Sequence, residues 1–326
     1  MSLVHSTPLQ SLLGGLGLVP PVHGLLILNG DIFGISGFLH GAARGAIESA
    51  LGVLGLILGG LVAGALDGTG PTTLDTSLTR IVISGLLVGI GTKLAKGCTS
   101  GHMICGISRL SLRSLVATAT FCITGVSTAR FMHLKALPPQ GPMDWNLNSA
   151  ARPLIALQVL PLATEIALYF YAYRNIVVVK QTRRSRSFLR SVALIASSFS
   201  FALGLLVSNL TDPLKVVSFL VLPFHGSFDP SLAFLALGAL PLMSILYRYV
   251  RNREQPQLGG TWSVPKNGII DARLLFGAAI FGVGWGMEGI CPGPGLVNFG
   301  KALLTGRNLA HMAAWLGSVV AGGLLC

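Results

Sequence analysis

The sequence is poor in charged residues, and acidic residues are the scarcest of them. Charged side chains make up 10% of the 326 residues, with only 11 Asp and Glu, whereas 52% of the residues are hydrophobic. A soluble protein needs far more charge to cover its surface, so a soluble fold is excluded. The composition indicates an integral membrane protein.

Nucleotide-binding and metal-binding motifs are also missing. The sequence contains no Walker motif or other nucleotide loop, so we expect no direct use of ATP. The cysteines are odd in number and lack the spacing of zinc ligands, which excludes a disulfide framework and a zinc module. They are Cys98, Cys105, Cys122, Cys291 and Cys326. We therefore predict no metal, no cofactor and no catalytic residue.

The basic residues outnumber the acidic ones and give a net charge of +12. They lie between apolar segments, which is typical of cytoplasmic loops of membrane proteins. A nucleic-acid-binding surface would instead concentrate them on one face of a soluble domain. We therefore predict a lipid bilayer as the surroundings and no nucleic acid as a partner.

Nine apolar stretches are long enough to cross the roughly 30 Å of hydrocarbon in a bilayer. The predicted spans are 9–28, 48–66, 79–96, 112–132, 153–173, 189–210, 230–249, 272–289 and 305–325. Residues 1–10 contain no Lys or Arg, so the first stretch is predicted as a span and not as a cleavable signal peptide. The sequence thus predicts an all-α membrane protein with about nine transmembrane helices.

Two shorter apolar runs and three polar segments connect the predicted spans. Residues 32–39 and 214–222 are apolar but too short to cross a bilayer, so we predict short re-entrant helices there. The polar segments 134–151, 174–187 and 251–267 are predicted to be loops.

The distribution of Lys and Arg predicts the orientation. Nine spans place the two termini on opposite faces of the membrane, and loops on the N-terminal side hold only 7 of the 23 basic residues. These are Arg80, Arg130, Lys135, Arg152, Lys215, Lys301 and Arg307. By the positive-inside rule, the N-terminus is outside and the C-terminus is cytoplasmic.

An internal repeat is visible around two of the cysteines. Residues 89–98 align with 282–291 at a constant offset of 193, with two glycines and the cysteine in common. A looser match pairs residues 36–39 with 217–220. We predict a first repeat over 1–133, a linker with the fifth span over 134–187, and a second repeat of opposite orientation over 188–326, all in one membrane domain.

Each cysteine of the repeat lies in a turn that ends an apolar span. Residues 97–102 combine glycine with hydroxyl residues, and residues 291–295 combine glycine with proline, so both stop a helix. Amides at the start of a following half-helix attract anions, and a neutral thiol is a weak donor with a soft sulfur. The predicted substrate pathway is Gly97, Cys98, Thr99, Ser100, Gly101, His102, Cys291, Pro292, Gly293 and Pro294.

For several further candidate pathway residues, a structural explanation is as good as a functional one. They are Cys105, Lys93, Lys96, Arg109 and Glu288. A buried cysteine is often only a small hydrophobic residue, which is our interpretation of Cys122 and Cys326. The basic residues are also expected from the positive-inside rule, and His102 is as well suited to bind a backbone carbonyl as a substrate. Glu165 and Glu288 each have either a structural hydrogen bond or a role in proton coupling.

Taken together, residues 91–102, 106–114 and 281–294 resemble the YeeE/YedE sulfur transport family. The resemblance implies an inverted repeat, a path for thiosulfate or a similar inorganic sulfur anion past Cys98 and Cys291, and uptake into the cytoplasm. It also implies a cytoplasmic sulfur-carrier protein as a partner. The sequence departs from the family in having no cysteine within 32–39 and in having Asp31 where a basic residue is usual.

The alternative function is a membrane-embedded sulfurtransferase or thiol redox enzyme. Such an enzyme needs an activated thiolate or a resolving thiol. The sequence places no clear base beside Cys291, so we favour a transporter.

Overall fold

The computed structural model describes residues 5–178, 183–250, 255–265 and 268–326, with the backbone alone for 175–178 and 183–186. Parts of two predicted loops, residues 179–182, 251–254 and 266–267, lie outside the described residues. Everything described is helix, turn or loop, apart from a single bridge residue at Gln140. The all-α fold predicted from the sequence is confirmed.

The helices follow one another in the order that the apolar stretches predict. They are α1 (Pro8–Gly17), α2 (Val19–Asn29), α3 (Ile35–Ala42), α4 (Ile47–Asp67), α5 (Leu78–Ala95), a π-helix (Ser100–Ile107), α6 (Leu112–His133), α7 (Ala151–Leu157), α8 (Val159–Val178), α9 (Arg183–Val207), α10 (Pro213–Leu220), α11 (Ser231–Val250), α12 (Ala272–Glu288), α13 (Pro292–Thr305) and α14 (Leu309–Leu324). Within the described residues, eight helices or joined helix pairs are long and apolar enough to cross a membrane. Both short apolar runs form helices, α3 and α10.

Several predicted spans differ from the observed helices, and the fifth, predicted at 153–173, is divided at Gln158 between α7 and α8. The first is interrupted at Leu18 because α2 begins with prolines, which have no N–H to continue the hydrogen-bond ladder. The ninth, predicted at 305–325, starts only at Leu309 because Gly306 and Asn308 have left-handed backbones, with φ of 71° and 55°. Its helix is 16 residues long, shorter than a typical span.

The long helices pack in matching pairs. The helix α5 lies along α12, α12 also packs against α6, and α5 packs against α14. In the same way α4 packs against α9, and α1 packs against α11. Glycines allow these close approaches: a Cβ on Gly91 would lie 2.6 Å from the Phe281 Cα, and a Cβ on Gly282 would lie 2.9 Å from the Phe121 Cα.

The two ends of the chain mark opposite faces of the bundle. At the end of the bundle where α1 begins, the Lys215 ammonium donates a hydrogen bond to the backbone oxygen of His5 (3.0 Å). Cys326 lies close enough to Lys93, at the end of α5, for their charges to interact. We call these the N-terminal face and the C-terminal face.

Candidate functional site

The two cysteine turns predicted from the sequence meet inside the bundle. The Thr99 hydroxyl donates to the Cys291 Sγ over 3.5 Å, which links the turn after α5 to the turn after α12. Both cysteines are buried, with Cys98 1% exposed and Cys291 5% exposed. The Cys98 Sγ lies 3.2 Å from the Ser100 Oγ. Two thiols and two hydroxyls are therefore gathered in one buried place.

The first turn leaves α5 through a left-handed residue and enters a π-helix. Lys96 has φ of 58° and caps α5, and the backbone N–H of His102 donates to the Cys98 carbonyl (2.9 Å). The π-helix then runs from Ser100 to Ile107. Such helices are rare and occur frequently at functional sites. The backbone around Cys98 is thus unlike that of an ordinary helix end.

The second turn is built from glycine and proline. Gly289 ends α12 with φ of 67°, and Cys291 is the N-cap of α13, whose first residue is Pro292. The backbone amides of Cys291 and Gly293 lie beside the Cys291 thiol. Because the start of α13 carries partial positive charge, this arrangement suits an anion at the thiol.

A third element, the start of α3, touches both turns. The Ile35 backbone N–H donates to the Ser100 Oγ (3.2 Å), and the Ile35 Cδ1 lies 2.7 Å from where a Cβ on Gly293 would be. We predicted a short helix here but assigned Ile35 no role. No local pattern of the sequence marks Ile35, because neither Gly34 nor Gly37 beside it brings another element close.

A cavity of about 1190 Å³ opens next to the first turn. Its wall includes the predicted pathway residues Gly97, Gly101 and His102 and the predicted candidates Lys93, Lys96 and Arg109. It also includes Arg113, as well as Arg44 and His40, which were not among the predicted site residues. We call this cavity the basic vestibule. It lies on the C-terminal face, because Lys93 is close to Cys326.

His102 and Cys105 have hydrogen-bond partners other than the two pathway cysteines. The His102 ring bonds the Ala95 carbonyl (3.2 Å) and the Ser114 hydroxyl (3.3 Å), so the structure has the carbonyl contact that was one of the two interpretations. The Cys105 thiol donates to the Phe33 carbonyl (3.6 Å) and borders a separate, small apolar cavity of about 30 Å³.

Both buried glutamates have structural partners. The Glu288 carboxylate pairs with the Arg80 guanidinium (2.8 Å) and accepts from the Thr76 hydroxyl (3.0 Å). The Glu165 carboxylate accepts from the Ser197 hydroxyl (2.8 Å). Glu288 directly precedes the second cysteine turn, but its carboxylate is held by Arg80 and Thr76, so these contacts favour the structural interpretation over a proton-coupling role.

Neither the Cys98 thiol nor the Cys291 thiol has a base among its described contacts, which a sulfurtransferase would need for activation. All five cysteines are free, and the contacts of the Cys98 and Cys291 sulfur atoms are with hydroxyls, which do not act as bases. Among the described residues, no group of three or more His, Cys, Asp or Glu side chains is arranged to hold a metal ion.

Comparison with known protein families gives two matches. Residues 13–127 match the model of a family described as sulphur transport, and residues 190–324 match a family of unknown function, DUF6691. No solved structure matches the chain.

Similar proteins are named as transporters. A probable transporter of Xylella fastidiosa strain 9a5c is 45% identical over 124 residues, which are 37% of this chain and 92% of that protein. A second, from strain Temecula1, is 34% identical over 134 residues, 41% of this chain and 88% of that protein. The thiosulfate transporter TsuA of Spirochaeta thermophila is 32% identical over 121 residues, 35% of this chain and 36% of that protein.

The helical membrane fold, the sulphur transport match and the high coverage of the Xylella relatives agree with one another. The chain is a multi-pass membrane transporter and belongs to the YeeE/YedE sulfur transport family.

Proposed function

We propose that the protein carries thiosulfate, or a closely related small sulfur anion, between the Cys98 and Cys291 turns. The observation that carries this proposal is the contact of the Thr99 hydroxyl with the Cys291 Sγ (3.5 Å), which brings the two turns together. An ion moving between the faces of the bundle then meets both thiols. The name of the Spirochaeta relative supports thiosulfate as the substrate.

The chemistry at the turns suits a soft, weakly held anion. A protonated thiol is a weak donor and its sulfur is polarisable, so it matches the terminal sulfur of thiosulfate. The hydroxyls of Thr99 and Ser100 and the amide of Gly293 supply donors for the oxygen atoms. Weak contacts at successive sites allow release, which transport requires.

We further propose that residues 1–133 and 188–326 are inverted repeats joined by residues 134–187. The packing supports this proposal. In the two repeats α1 corresponds to α9, α4 to α11, α5 to α12 and α6 to α14. The contact between α4 and α9 therefore has its counterpart in the contact between α11 and α1, and the contact between α6 and α12 has its counterpart in the contact between α14 and α5. The two family matches also fall one in each half. Half-helices that start near the centre from opposite directions are typical of such transporters.

The direction of transport, uptake into the cytoplasm, is implied by the family resemblance, and the charge distribution predicts how the chain is oriented for it. With the N-terminus outside, the basic vestibule faces the cytoplasm, so the anion passes the turns first and then enters the vestibule. A sulfur-carrier protein on that side would receive the ion.

Uptake of radiolabelled thiosulfate into proteoliposomes tests the proposal. Cys98→Ala and Cys291→Ala each remove one thiol from the path, and we expect either to lose most of the uptake. Cys326→Ala is the matched control, because Cys326 is exposed at the chain end. Full uptake by both single variants would contradict the proposal.

Thr99 allows a finer test of the link between the turns. Thr99→Val keeps the shape but removes the donor to Cys291, and a neutral hydrogen bond contributes about 1 kcal/mol, so we expect roughly a fivefold loss of uptake. Thr99→Ser keeps the donor and should restore transport. Equal uptake by the Val and Ser variants would show that the hydroxyl has no role.

A further inference from the structure

In the described wall of the basic vestibule, positively charged side chains outnumber negatively charged ones. Among the described residues of its wall, five are basic, and the acidic side chain is that of Asp271. The basic residues are Arg44, Lys93, Lys96, Arg109 and Arg113. The Asp271 carboxylate is occupied as the N-cap of α12, where it accepts from the Leu274 N–H (2.9 Å).

Within the part of the chain that the structure describes, none of these five cations forms an ion pair with a carboxylate. Arg44 and Lys93 are close enough for their like charges to interact. Like charges gathered in a concave site create a positive potential that an anion neutralises.

Two of the arginines are held in position by backbone carbonyls. The Arg109 Nε donates to the Cys105 carbonyl (2.9 Å), and the Arg113 guanidinium donates to the carbonyls of Ile269 (2.6 Å) and Ala95 (3.1 Å). Carbonyl contacts fix a guanidinium without cancelling its charge. The positive wall is therefore ordered before any ion arrives.

The vestibule is so large that its basic residues attract an anion through their electrostatic field and not through close contact with it. A cavity of about 1190 Å³ is much larger than one small oxyanion, which can therefore keep much of its water. A Cβ added to Gly37 or Gly101 in its wall would meet no atom within 4 Å, so the space beside the cysteine turn is open. Held in this way, an ion is selected by charge and not by its terminal sulfur.

We propose that the basic vestibule is a second anion site, which binds small divalent oxyanions such as sulfate and thiosulfate alike. Discrimination for sulfur then lies at the cysteine turns, and the vestibule collects whatever oxyanion reaches it. The inference deepens the proposed function, on which its role in transport rests, but binding itself is measurable without transport.

Equilibrium binding of radiolabelled sulfate tests the site directly. The protein is placed in nanodiscs of phosphatidylcholine, which has no net charge to compete, at low ionic strength. We expect Lys93→Gln with Lys96→Gln to weaken sulfate binding by at least about tenfold, because two charges facing one ion are lost. Cys98→Ala with Cys291→Ala should bind sulfate as the wild type does.

The matched control is Lys135→Gln with Arg152→Gln, which removes two exposed charges from the other end of the bundle. It should bind sulfate normally. Absent binding by the wild type, unchanged binding by the Lys93 and Lys96 variant, or an equal loss in the control would each overturn the second site. Thiosulfate uptake without sulfate binding would contradict this inference alone, whereas sulfate binding without any uptake would contradict the proposed function alone.

Discussion

The two faces of the bundle use their basic residues differently. On the N-terminal face, Lys215 pairs with Asp229 (3.3 Å), Lys301 with Asp67 (2.7 Å), and Arg80 with Glu288 (2.8 Å). On the C-terminal face, the basic residues of the vestibule face an open cavity. Paired charges hold loops and helix ends together, whereas unpaired charges around a cavity remain available to a ligand.

One ion pair on the C-terminal face fits the same distinction. Arg190 pairs with Asp31 (3.3 Å) and also donates to the Gly259 carbonyl (2.7 Å), so it fastens residues 255–265 to the end of α2. Asp31 is the position at which the family resemblance implies a basic residue. The Asp31 carboxylate pairs with Arg190 and accepts a hydrogen bond from the Ser263 hydroxyl (2.7 Å), so the acidic residue at this position has a structural explanation.

The largest effect on stability is expected at the N-terminal face. Glu288→Gln removes the negative partner of Arg80, whose guanidinium is 23% exposed beside a carboxylate that is 2% exposed. Breaking a buried pair costs about 3 kcal/mol, near the lower end of the known range because Arg80 is partly hydrated. Thermal unfolding in detergent should show a clearly lowered midpoint.

Glu165→Gln is the control for that variant. Its new amide oxygen still accepts from Ser197, and Glu165 has no basic partner among its described contacts, so the midpoint should fall less. An Arg80→Gln and Glu288→Gln double variant should be less destabilised than the sum of the two single variants. Additive effects would show that the pair is not coupled.

The next effect compares glycines in the two cysteine regions. A methyl at Gly295 would lie 3.0 Å from the Trp315 Cε3 and closer still to its Cζ3, and Trp315 is fully buried. Gly295→Ala should therefore destabilise the protein by about 1 to 3 kcal/mol through overpacking. Gly101→Ala meets open space, so the protein should fold normally, and any change in its thiosulfate uptake would report on the path of the ion and not on the fold.

Thermal unfolding and thiosulfate uptake of the same two variants separate these outcomes. Equal destabilisation by both would mean that the first turn is packed as tightly as the second. The comparison between an open and a closed cysteine turn would then be wrong.

Much of the fold was predictable because apolar stretches of spanning length determine where membrane helices lie. For example, the predicted span 112–132 is observed as Leu112–His133, and 272–289 as Ala272–Glu288. The breaks were harder to predict. The interruption at Leu18 and the late start of α14 depend on single residues, Pro20 and Asn308, inside runs that remain apolar.

The site was partly predictable for a related reason. Cys98 and Cys291 follow glycine-rich helix ends, which is a local pattern, and the sequence predicted that they would share one pathway. Arg44 and Ile35 carry no local pattern. Arg44 joins Lys93 only because α3 folds back beside the end of α5, and Ile35 reaches Gly293 across more than 250 residues of chain. Long-range contacts of this kind do not appear in any short window of sequence.

The smallest effect on stability is expected at the C-terminal face. Lys93→Gln with Lys96→Gln breaks no ion pair among the described residues and relieves the repulsion between Arg44 and Lys93, so the unfolding free energy should change by less than about 0.5 kcal/mol. Lys301→Gln loses its contact with Asp67, which is partly exposed, and should lower stability by up to about 1 kcal/mol. Unfolding midpoints of both variants check this order. If the Lys93 and Lys96 variant were instead as unstable as Glu288→Gln, these lysines would be structural, and a loss of sulfate binding would reflect unfolding and not a missing anion site.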